Sequence, residues 1–521
     1  MIDGILPFER YPGLPPLFLD FVRGRSLFHP DPPSLDAAAA RGRALLGRKP
    51  RISAKAFRSR HPQGKALAEE LAAGRMVAVA AGHQIGLFTG PLFTLWKAFD
   101  VIRVARELTA RGVPAAPVFW ALTDDHDLEE VARTARPGRD GPETLVLEGA
   151  DRANRRPVGE LPIPEGVKAI LAAFRQDARA PDAQDTLEAF AARYAPGRSY
   201  GEAFVEALFD LVEPEPLLVV NPLSEELRAP GAEFFGRAVS RESDMREALR
   251  ETGERLAAQG REPPVTYRDG AFPFFAIHDG ERRRVEDPGR LEAEIASGAA
   301  RVSADVLTRP VLKSFLFPVA ASVLGPAEIA YHAQALPLFP ALGVEPPVLL
   351  PRSHLILRGP AERRAMKALG VSLEDLFQGR SGEPAAPVPG AAVIGSLDRE
   401  IAAKLLLLSH ELEALDPTLT GAVENARRKI SYQLEQLEMK MRKAAERRDQ
   451  TAQQRRHRLE TMLIPRGSAA ERVYPPLVPL LSHGRKSLEL ARAAATGSTE
   501  GAIVVELGAE SETEEGESDA G

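Results

Sequence analysis

The chain has 521 residues, of which 44% are hydrophobic and 27% are charged, so it can bury the cores of two or more domains. It contains no cysteine, which excludes disulfides, thiolate zinc sites and a cysteine nucleophile. The formal net charge is −6 and six acids follow Ala509, which predicts a near-neutral body and a disordered acidic tail over residues 508–521.

The composition predicts neither a membrane protein nor a secreted protein. No stretch approaches the roughly 20 consecutive apolar residues that a membrane span needs. The opening sequence MIDGILPFER lacks the basic segment and the apolar segment of a secretory signal. The expected compartment is therefore the cytoplasm.

The N-terminal part of the chain leads into an apolar strand. Residues 1–60 are rich in proline and predict an irregular arm that docks on the rest of the chain. A short helix over 64–73 follows, and residues 77–81 predict a buried strand that breaks at Gly82.

A glycine loop and a helix follow this strand. Glycines stand at positions 82, 86 and 90, and Pro91 takes the first position of the helix, where a missing N–H costs nothing and φ is already set. Gly112 supplies the stop. One apolar stripe at helical spacing is formed by Leu92, Leu95, Phe99 and Ile102.

A second strand, over 117–122, ends in a run of polar residues: Asp124, Asp125, His126 and Asp127. Strand, loop, helix and strand form a βαβ unit. In open α/β sheets ligands bind outside the carboxyl ends of the strands, and both the glycine loop and the acidic run lie at such ends. The sequence therefore predicts a ligand site there.

Residues 138–300 predict an insert of connective segments. Its expected elements are a strand over 143–149, helices over 167–175, 201–212 and 234–259, a buried strand over 217–220, and two short strands around Asp269-Gly270 with a further turn at Asp279-Gly280.

A second block repeats the earlier order of elements. A helix from Pro310 precedes a strand over 319–323, the turn Gly325-Pro326, a helix that contains Glu328, and a strand over 347–350. Alternation of this kind predicts an α/β fold with a doubly wound core over residues 1–390.

The C-terminal third has a different pattern. After a linker over 379–395, apolar residues repeat by four and three and predict a helix that ends at Pro417. A longer helix runs to about Leu463, so residues 396–465 predict an antiparallel coiled-coil arm. Its overhanging seam either pairs with a second subunit in a homodimer or folds back on the core. Residues 466–507 are expected to return to the core and end in a strand.

The glycine loop is a candidate anion site, because helix N-termini present bare N–H groups and the positive end of the dipole. Its glycines match neither Walker A nor GxGxxG, and the alternative is that they serve only a tight turn. His83 and Gln84 favour a site, because two polar side chains at a strand end have no role in a core. Lys97 either reaches a phosphate or is solvated, and its position on the helix by itself favours solvation.

The acidic run is harder to explain as a purely structural feature. Its three carboxylates repel one another unless a cation, Mg²⁺ or a substrate ammonium group lies among them. The alternative is that an Asp caps a helix that runs through Glu129. Arg309 is a candidate for carboxylate or phosphate binding. The basic runs of the later helices are most simply the solvated face of a coiled coil, since no aromatic residues are interleaved for stacking on nucleic acid.

Four blocks together carry a family resemblance: G-H-Q-x-G-L-F-T-G-P-L-F-T-x-x-K, P-V-F-W-x-x-x-D-D-H-D, T-R-P at 308–310 and G-P-A-E-I-A-Y at 325–331. In this order they resemble the bacillithiol biosynthesis cysteine-adding enzyme family, the cysteine ligases, over Arg10 to about Ala493. The resemblance implies a Rossmann-like core, related to nucleotidyltransferase and class I synthetase folds, and a coiled-coil arm used in dimerisation.

The sequence departs from the family pattern at a few positions. His83 stands where glutamine is common, Asp124 where glutamate is common, and His332 where tryptophan is frequent. Ser-Ala-Ala replaces the usual leucine and glutamine before Glu471-Arg472. None of these changes removes a charge from the expected site.

The resemblance implies that the carboxyl group of L-cysteine is joined to the amine of glucosaminyl-malate, with ATP as the expected activator and Mg²⁺ as a candidate metal whose ligands stay unassigned. The expected catalytic residues are His83, Gln84, Asp125 and His126, with His126 as the preferred base. The expected substrate-binding residues are Asp124, Asp127, Arg309, Glu328 and Tyr331. The expected cofactor-binding residues are Gly82, Gly86, Thr89, Gly90, Lys97 and Gly325.

Two alternatives to an ATP-using ligase remain. One is a cysteinyl transferase that uses an activated donor and needs no ATP. The other is a coiled-coil scaffold or RNA-binding protein with a vestigial α/β core, which would bind RNA in a salt-sensitive way and have no small-molecule site.

Overall fold

The computed structural model of the chain describes residues 2–151, 154–266, 272–380, 390–413, 416, 419–446 and 450–508. Its contacts divide the chain into two units. The core unit comprises Met1–Pro360 and Pro465–Gly521, and the arm unit comprises Ala361–Ile464. The first segment of the core unit therefore ends at Pro360, earlier than the predicted end of the core at residue 390.

The secondary structure alternates strands and helices over the core unit. The strands are, in chain order, β1 (Ile2–Pro7), β2 (Phe57–Arg58), β3 (Val77–Gln84), β4 (Ala115–Leu122), β5 (Arg133–Gly138), β6 (Gly141–Val146), β7 (Leu218–Val220), β8 (Phe274–His278), β9 (Glu281–Arg284), β10 (Ala300–Ala304), β11 (Val319–Leu324), β12 (Val348–Pro351), β13 (Leu355–Arg358) and β14 (Gly501–Glu506).

The helices α1–α14 and α20–α21 belong to the core unit, and α16–α19 belong to the arm unit, with α15 at the boundary. They are α1 (Pro16–Val22), α2 (Leu35–Leu45), α3 (Gly64–Ala72), α4 (Phe93–Ala110), α5 (Leu128–Val131), α6 (Val167–Arg175), α7 (Ala183–Arg193), α8 (Tyr200–Val212), α9 (Arg228–Ser240), α10 (Glu242–Ala258), α11 (Pro288–Ala296), α12 (Thr308–Leu316), α13 (Pro326–Ala335), α14 (Leu338–Ala341), α15 (Pro360–Leu369), α16 (Leu373–Phe377), α17 (Ala391–Glu413), α18 (Leu419–Glu446), α19 (Gln450–Leu463), α20 (Leu477–His483) and α21 (Lys486–Ala494).

The central sheet confirms the doubly wound prediction. Its strand order is β12-β11-β3-β4-β7-β2, in which the first five strands are parallel and β2 is antiparallel. From β3 the chain builds outward through β4 and β7 on one side, and then through β11 and β12 on the other. The strand order therefore reverses between β3 and β11, and in such sheets the crevice outside the carboxyl ends at this point binds ligands.

The strand β3 is longer than the sequence predicted. Pairing with β4 continues through Gly82↔Trp120 as far as Gln84↔Leu122, so the chain does not break at Gly82. Glycine is needed there because a Cβ at Gly82 would lie 2.9 Å from the Trp120 carbonyl oxygen. The extra length carries two polar side chains to the carboxyl edge of the sheet.

The helix α4 begins at Phe93, so Pro91 lies before it and not at its first position. The predicted apolar stripe is buried against the sheet and the neighbouring helices. Gly112 lies just beyond the helix at φ +78°, a conformation that glycine adopts without strain and that ends the helix as predicted.

The N-terminal segment is more regular than the predicted arm. The strand β1 pairs antiparallel with β14, with Ile5 opposite Ile503, and β13 completes this sheet on the other side of β14. Leu6 is the buried residue of this strand, whereas Ile2 and Ile5 are 51% and 47% exposed. The prediction failed because the partner of β1 lies almost 500 residues away along the chain.

The insert contains short antiparallel sheets. β5 pairs with β6, and β8 pairs with both β9 and β10. The turn at Asp279-Gly280 joins β8 and β9 as predicted, whereas the strand pair expected around Asp269-Gly270 lies outside the described residues. The predicted helix over 234–259 is two helices, which break at Arg241, and α7 was not predicted.

The arm unit confirms the antiparallel coiled coil. The Ser431 hydroxyl of α18 donates to the Asp398 carboxylate of α17 at 2.9 Å, although the facing ends of the two helices are Glu413 and Leu419. That spacing requires the helices to run in opposite directions. Large apolar side chains are exposed on the two helices at Val393, Leu397, Leu406, Leu407, Leu408, Tyr432, Leu437 and Met439. The predicted turn residue Pro417 and the acidic tail lie outside the described residues. In the part of the chain that the structure describes, no helix is long and apolar enough to cross a membrane.

Candidate active site

A cavity of about 230 Å³ lies at the point where the strand order reverses. The carboxyl ends of β3 and β11 and the helices α4, α12 and α13 supply most of its wall. The described residues that line it are Gly82, His83, Gln84, Phe93, Lys97, Trp120, Leu122, Val306, Arg309, Pro310, Lys313, Gly325, Pro326, Ala327, Glu328, Tyr331, Arg352 and Arg472. Eight predicted site residues are among them.

His83 and Gln84 lie at the end of β3 and face this cavity. The His83 ring packs edge-on against Phe93, with centroids 4.8 Å apart. Burial, and then the cations Lys97 and Arg352, hold the pKa of His83 well below its usual range, so the imidazole is neutral. The Gln84 side-chain nitrogen is buried and has no hydrogen-bond partner in the described part of the protein.

Lys97 is buried in an ion pair, which corrects the expectation of a solvated side chain. Its ammonium group lies 2.5 Å from the Glu328 carboxylate and donates to the Gly82 carbonyl oxygen at 2.9 Å. The same carboxylate oxygen accepts the backbone N–H of Gly325 at 2.7 Å, so Glu328 closes the first turn of α13. Burial alone would raise the pKa of Glu328, but Lys97 and the Gly325 N–H outweigh that effect and lower it.

Arg352 follows β12 and is buried under Phe93, with its guanidinium 4.9 Å from the ring centroid. It donates to Glu471 at 2.7 Å and to the Ser353 carbonyl oxygen at 2.7 Å. Glu471 also accepts the Tyr11 hydroxyl at 2.7 Å. One wall of the cavity is therefore fixed by a buried ion pair between β12 and the C-terminal segment.

The helix α12 places Arg309 and Lys313 four residues apart on one face, and both line the cavity. Arg309 donates to the Ala304 carbonyl oxygen at 3.2 Å. Burial is the main cause that lowers the pKa of Lys313 to about 8. Tyr331, from α13, also lines the cavity, and burial raises its pKa well above the usual range.

The run from Asp124 to Asp127 is absent from the cavity lining, although it follows β4, which contributes Trp120 and Leu122 to that lining. Asp124 is buried and accepts the Ser303 hydroxyl at 2.6 Å, and the Ser303 oxygen in turn accepts Arg282 at 2.9 Å. Asp125 accepts a second nitrogen of Arg282 at 3.3 Å. Arg282 of β9 and the Ser303 hydroxyl of β10 thus relieve the carboxylate repulsion that the sequence predicted.

The protonation state of His126 is set by the same arginine. Arg282 donates to Nδ1 of His126 at 2.9 Å, and because arginine cannot accept a hydrogen bond, Nδ1 is the unprotonated nitrogen. Burial, followed by Arg282, lowers the pKa of His126. Burial opposes ionisation of Asp125, but Arg282 and Arg309 outweigh it and lower the pKa of that carboxyl.

Asp127 has the capping role that was the alternative explanation. Its carboxylate accepts the Glu130 N–H at 3.1 Å at the start of α5, and its side chain is exposed. Among the residues that the structure describes, no three or more His, Asp or Glu side chains are grouped so that they could hold a metal ion. The prediction of a metal bound by this run therefore gains no support from the geometry.

The later part of the glycine loop lies away from the cavity. The Thr89 N–H donates to the Tyr194 hydroxyl at 2.8 Å, and that hydroxyl donates to the Gly86 carbonyl oxygen at 3.1 Å. The Gly90 N–H donates to Leu87 at 2.9 Å. Gly86, Thr89 and Gly90 are absent from the cavity lining, and the amides of Thr89 and Gly90 are already occupied within the protein.

Comparison with known families assigns both halves of the chain. The model of the family described as "Bacillithiol biosynthesis BshC, N-terminal Rossmann-like domain" matches residues 51–353, which is more than half of the chain. The chain belongs to the BshC family of bacillithiol biosynthesis. The family's C-terminal coiled-coil domain matches residues 356–506.

Relatives in this family carry the name "Putative cysteine ligase BshC". The relative from Solibacter usitatus is 29% identical over 450 residues, which covers 82% of this chain and 84% of the relative. That from Koribacter versatilis is 27% identical over 443 residues, with coverage of 81% and 82%. That from Geobacillus kaustophilus is 26% identical over 445 residues, with coverage of 78% and 80%.

Sequence reasoning missed several residues of this BshC-family site. Lys313 stands four residues after Arg309, and that helical spacing was a usable signal. Arg352 directly follows a predicted strand, which was a second signal. Nothing in local sequence links Arg472 or Arg282 to the site, because long-range packing of the C-terminal segment and of the insert brings them there.

Proposed function

We propose that this protein is a cysteine ligase of bacillithiol biosynthesis, which joins the carboxyl group of L-cysteine to the amine of glucosaminyl-malate with ATP as the activator. The observation that carries the proposal is the cavity at the point where the strand order of the central sheet reverses, in a chain that belongs to the BshC family. The proposed compartment is the cytoplasm.

The charge of the cavity suits these reactants. Among the described lining residues Glu328 is the one acid, and it is already paired with Lys97. Arg309, Lys313 and Arg472 therefore leave the cavity with an excess of positive charge. Cysteine, glucosaminyl-malate and ATP all carry carboxylate or phosphate groups, which such a lining attracts.

Three side chains have the chemistry for the two charged ends of the amino acid and for the reacting carbonyl. Glu328 would hold the ammonium group of cysteine, and Arg309 would hold a carboxylate. The neutral imidazole of His83 would donate a hydrogen bond to the oxygen on which charge develops, as part of an oxyanion site. All three residues line the cavity, so each can reach a reactant bound there.

The proton of the attacking amine needs a different explanation from the predicted one. With Nδ1 held by Arg282, the neutral His126 ring carries its hydrogen on Nε2 and is a donor on that side. His126 could accept the proton at Nδ1 only after Arg282 moves. We therefore assign the ring to orientation of a substrate oxygen, with Asp125 and Arg282 fixing its position.

The phosphate groups of ATP are assigned to the α12 and α13 side of the cavity. The amides of Thr89 and Gly90 are engaged inside the protein, which disfavours the later part of the glycine loop. Lys313 on α12 and the positive end of the α13 dipole attract anions there instead, with the Gly325 N–H itself held by Glu328. Mg²⁺ would enter as the counter-ion of ATP.

The test is reconstitution of the reaction. The purified protein is incubated with L-cysteine, glucosaminyl-malate and Mg-ATP, and the thiol product is measured by mass spectrometry beside a sample without ATP. Product only with ATP supports the ligase. Product without ATP replaces the ligase by the transferase alternative, and no product from a folded protein contradicts both.

Matched variants connect the activity to the cavity. Arg309→Met removes a cation that lines the cavity, and we expect at least a tenfold loss of kcat/KM. Arg290→Met removes a guanidinium from an exposed side chain on α11 and serves as the control. Equal activity of the two variants would contradict the assignment of the site. The exposed apolar residues of α17 and α18 support a homodimer that forms through the arm. Sedimentation velocity in an analytical ultracentrifuge would test it by measuring the mass of the particle.

A further inference from the structure

The cavity contains two lysines whose surroundings differ sharply. Lys97 is 2% exposed, and its ammonium group is satisfied by Glu328 and by the Gly82 carbonyl oxygen. Lys313 is 7% exposed, and no hydrogen-bond acceptor or carboxylate of the described residues pairs with its ammonium group. A charge that is mostly withdrawn from water and has no partner is energetically unfavourable, so proteins rarely keep one without a function.

The neighbours of Lys313 make this cost larger. Arg309 lies one turn earlier on α12, and like charges at this spacing repel each other. Lys97, from α4, adds a second repulsion, while Glu328, from α13, adds an attraction that its pair with Lys97 already weakens. Burial and the two cations outweigh Glu328 and lower the pKa of Lys313 to about 8.

Two further groups in the same wall lack acceptors. The side-chain nitrogen of Gln84 and Nε of Arg352 are buried, and neither has a hydrogen-bond partner among the described residues. Both residues line the cavity with Lys313. Three unsatisfied donors around one cavity, two of them on cationic side chains, call for an anionic oxygen ligand.

We infer that Lys313 binds an anionic oxygen group of a reactant, either a phosphate of the nucleotide or a carboxylate of the acceptor. This anionic group is the charge partner that the described residues do not provide for Lys313. The assignment to a reactant rests on the proposed function. The anion site itself does not, because inorganic ions can occupy it in the absence of any reaction.

The first experiment measures the protonation of Lys313 directly in the wild-type protein. Trace acetylation with acetic anhydride between pH 6 and 11, followed by peptide mass spectrometry, gives the titration midpoint of each lysine. Lys65, with a side chain 87% exposed, is the internal control. We expect a midpoint near 8 for Lys313 in the free protein.

Inorganic pyrophosphate and malate are then added separately as probes. A bound anion stabilises the ammonium form, so the midpoint of Lys313 should rise by about one to three pH units while that of Lys65 stays unchanged. A rise with pyrophosphate assigns the site to phosphate, and a rise with malate assigns it to a carboxylate. A midpoint that neither ion moves overturns the inference.

The second experiment separates binding from chemistry in the reconstituted reaction. Lys313→Met should raise KM for the reactant that carries the bound anion at least tenfold, with a smaller effect on kcat, and Lys313→Arg should restore most of the affinity. Unchanged KM values for all three reactants would contradict the inference. If the wild-type protein forms no product, the proposed function fails, while the labelling experiment still decides whether Lys313 binds anions.

Discussion

Replacement of Glu471 by glutamine should destabilise the core unit strongly although it removes only a charge. In the native protein one carboxylate oxygen of Glu471 accepts Arg352 and Tyr11, each at 2.7 Å, and the other accepts the Leu355 N–H at 3.0 Å. All of these partners are donors. Whichever way the amide of glutamine turns, its NH₂ group therefore meets a donor, and Arg352 loses its counter-charge.

The size of the effect follows from burial. Arg352 and Glu471 are both about 1% exposed, so water cannot replace the lost partner. Breaking a buried ion pair on one side costs about 3–5 kcal/mol, because the remaining charge is left uncompensated. Total stabilities are about 5–15 kcal/mol, so the loss would be a large fraction of the total.

Urea unfolding followed by tryptophan fluorescence measures this loss, because Trp96 and Trp120 are both buried in the core unit. Glu489→Gln, an exposed change on α21 in the same C-terminal segment, is the matched control. Arg352 and its neighbours hold the pKa of Glu471 well below the ordinary value of 4.5. The stabilisation is therefore complete above that pH and declines as the pH falls, so the difference between wild type and variant should narrow in acid.

The interpretation would be wrong if Glu471→Gln and Glu489→Gln unfolded at the same urea concentration near neutral pH. A double variant gives a second check. Adding Arg352→Met to Glu471→Gln removes the stranded charge, so the double variant should be more stable than the sum of the single effects predicts. Additive effects would show that the two residues do not form an energetic unit.

Three further changes follow from the same contacts. Lys313→Met should stabilise the protein by up to about 3 kcal/mol at pH 7, because the pKa falls from 10.5 to about 8 on folding, and the gain should vanish above pH 10.5 in pH-dependent urea unfolding. Asp127→Ala should cost about 1 kcal/mol in the same assay, as loss of a helix cap, and leave KM values unchanged. Gly82→Ala should cost about 1–3 kcal/mol in thermal unfolding, because its Cβ would meet the Trp120 carbonyl oxygen.

The sequence was sufficient for most of the core fold. Apolar strands bounded by glycine and helices at 3.6-residue spacing give the βαβ order directly, and the sheet confirms it from β3 to β12. The sequence does not predict which distant segments pair with each other. β1 joins β14 across almost the whole chain, and no local pattern in residues 2–7 encodes that partner.

The candidate site divides in the same way. His83, Gln84, Arg309 and Glu328 follow strands or open helices in the two repeated blocks, and they share the cavity lining. The surroundings of the acidic run were not predictable, because Arg282 and Ser303 lie on β9 and β10, more than 150 residues later. Without those partners the run resembled a cation site, whereas the structure supplies an arginine from the protein itself.

The assembled charges give the cavity lining an excess of positive charge although the sequence motifs near it are acidic. Asp124 is bonded to Ser303 beside Arg282, Glu328 is paired with Lys97, and Glu471 is paired with Arg352, and each of these partners comes from a distant segment. These pairs compensate the negative charges of the three carboxylates within the protein. Arg309 and Lys313 then face the cavity as the cations that the fold leaves for a ligand, so the polarity of the site is a property of the tertiary structure and not of any single motif.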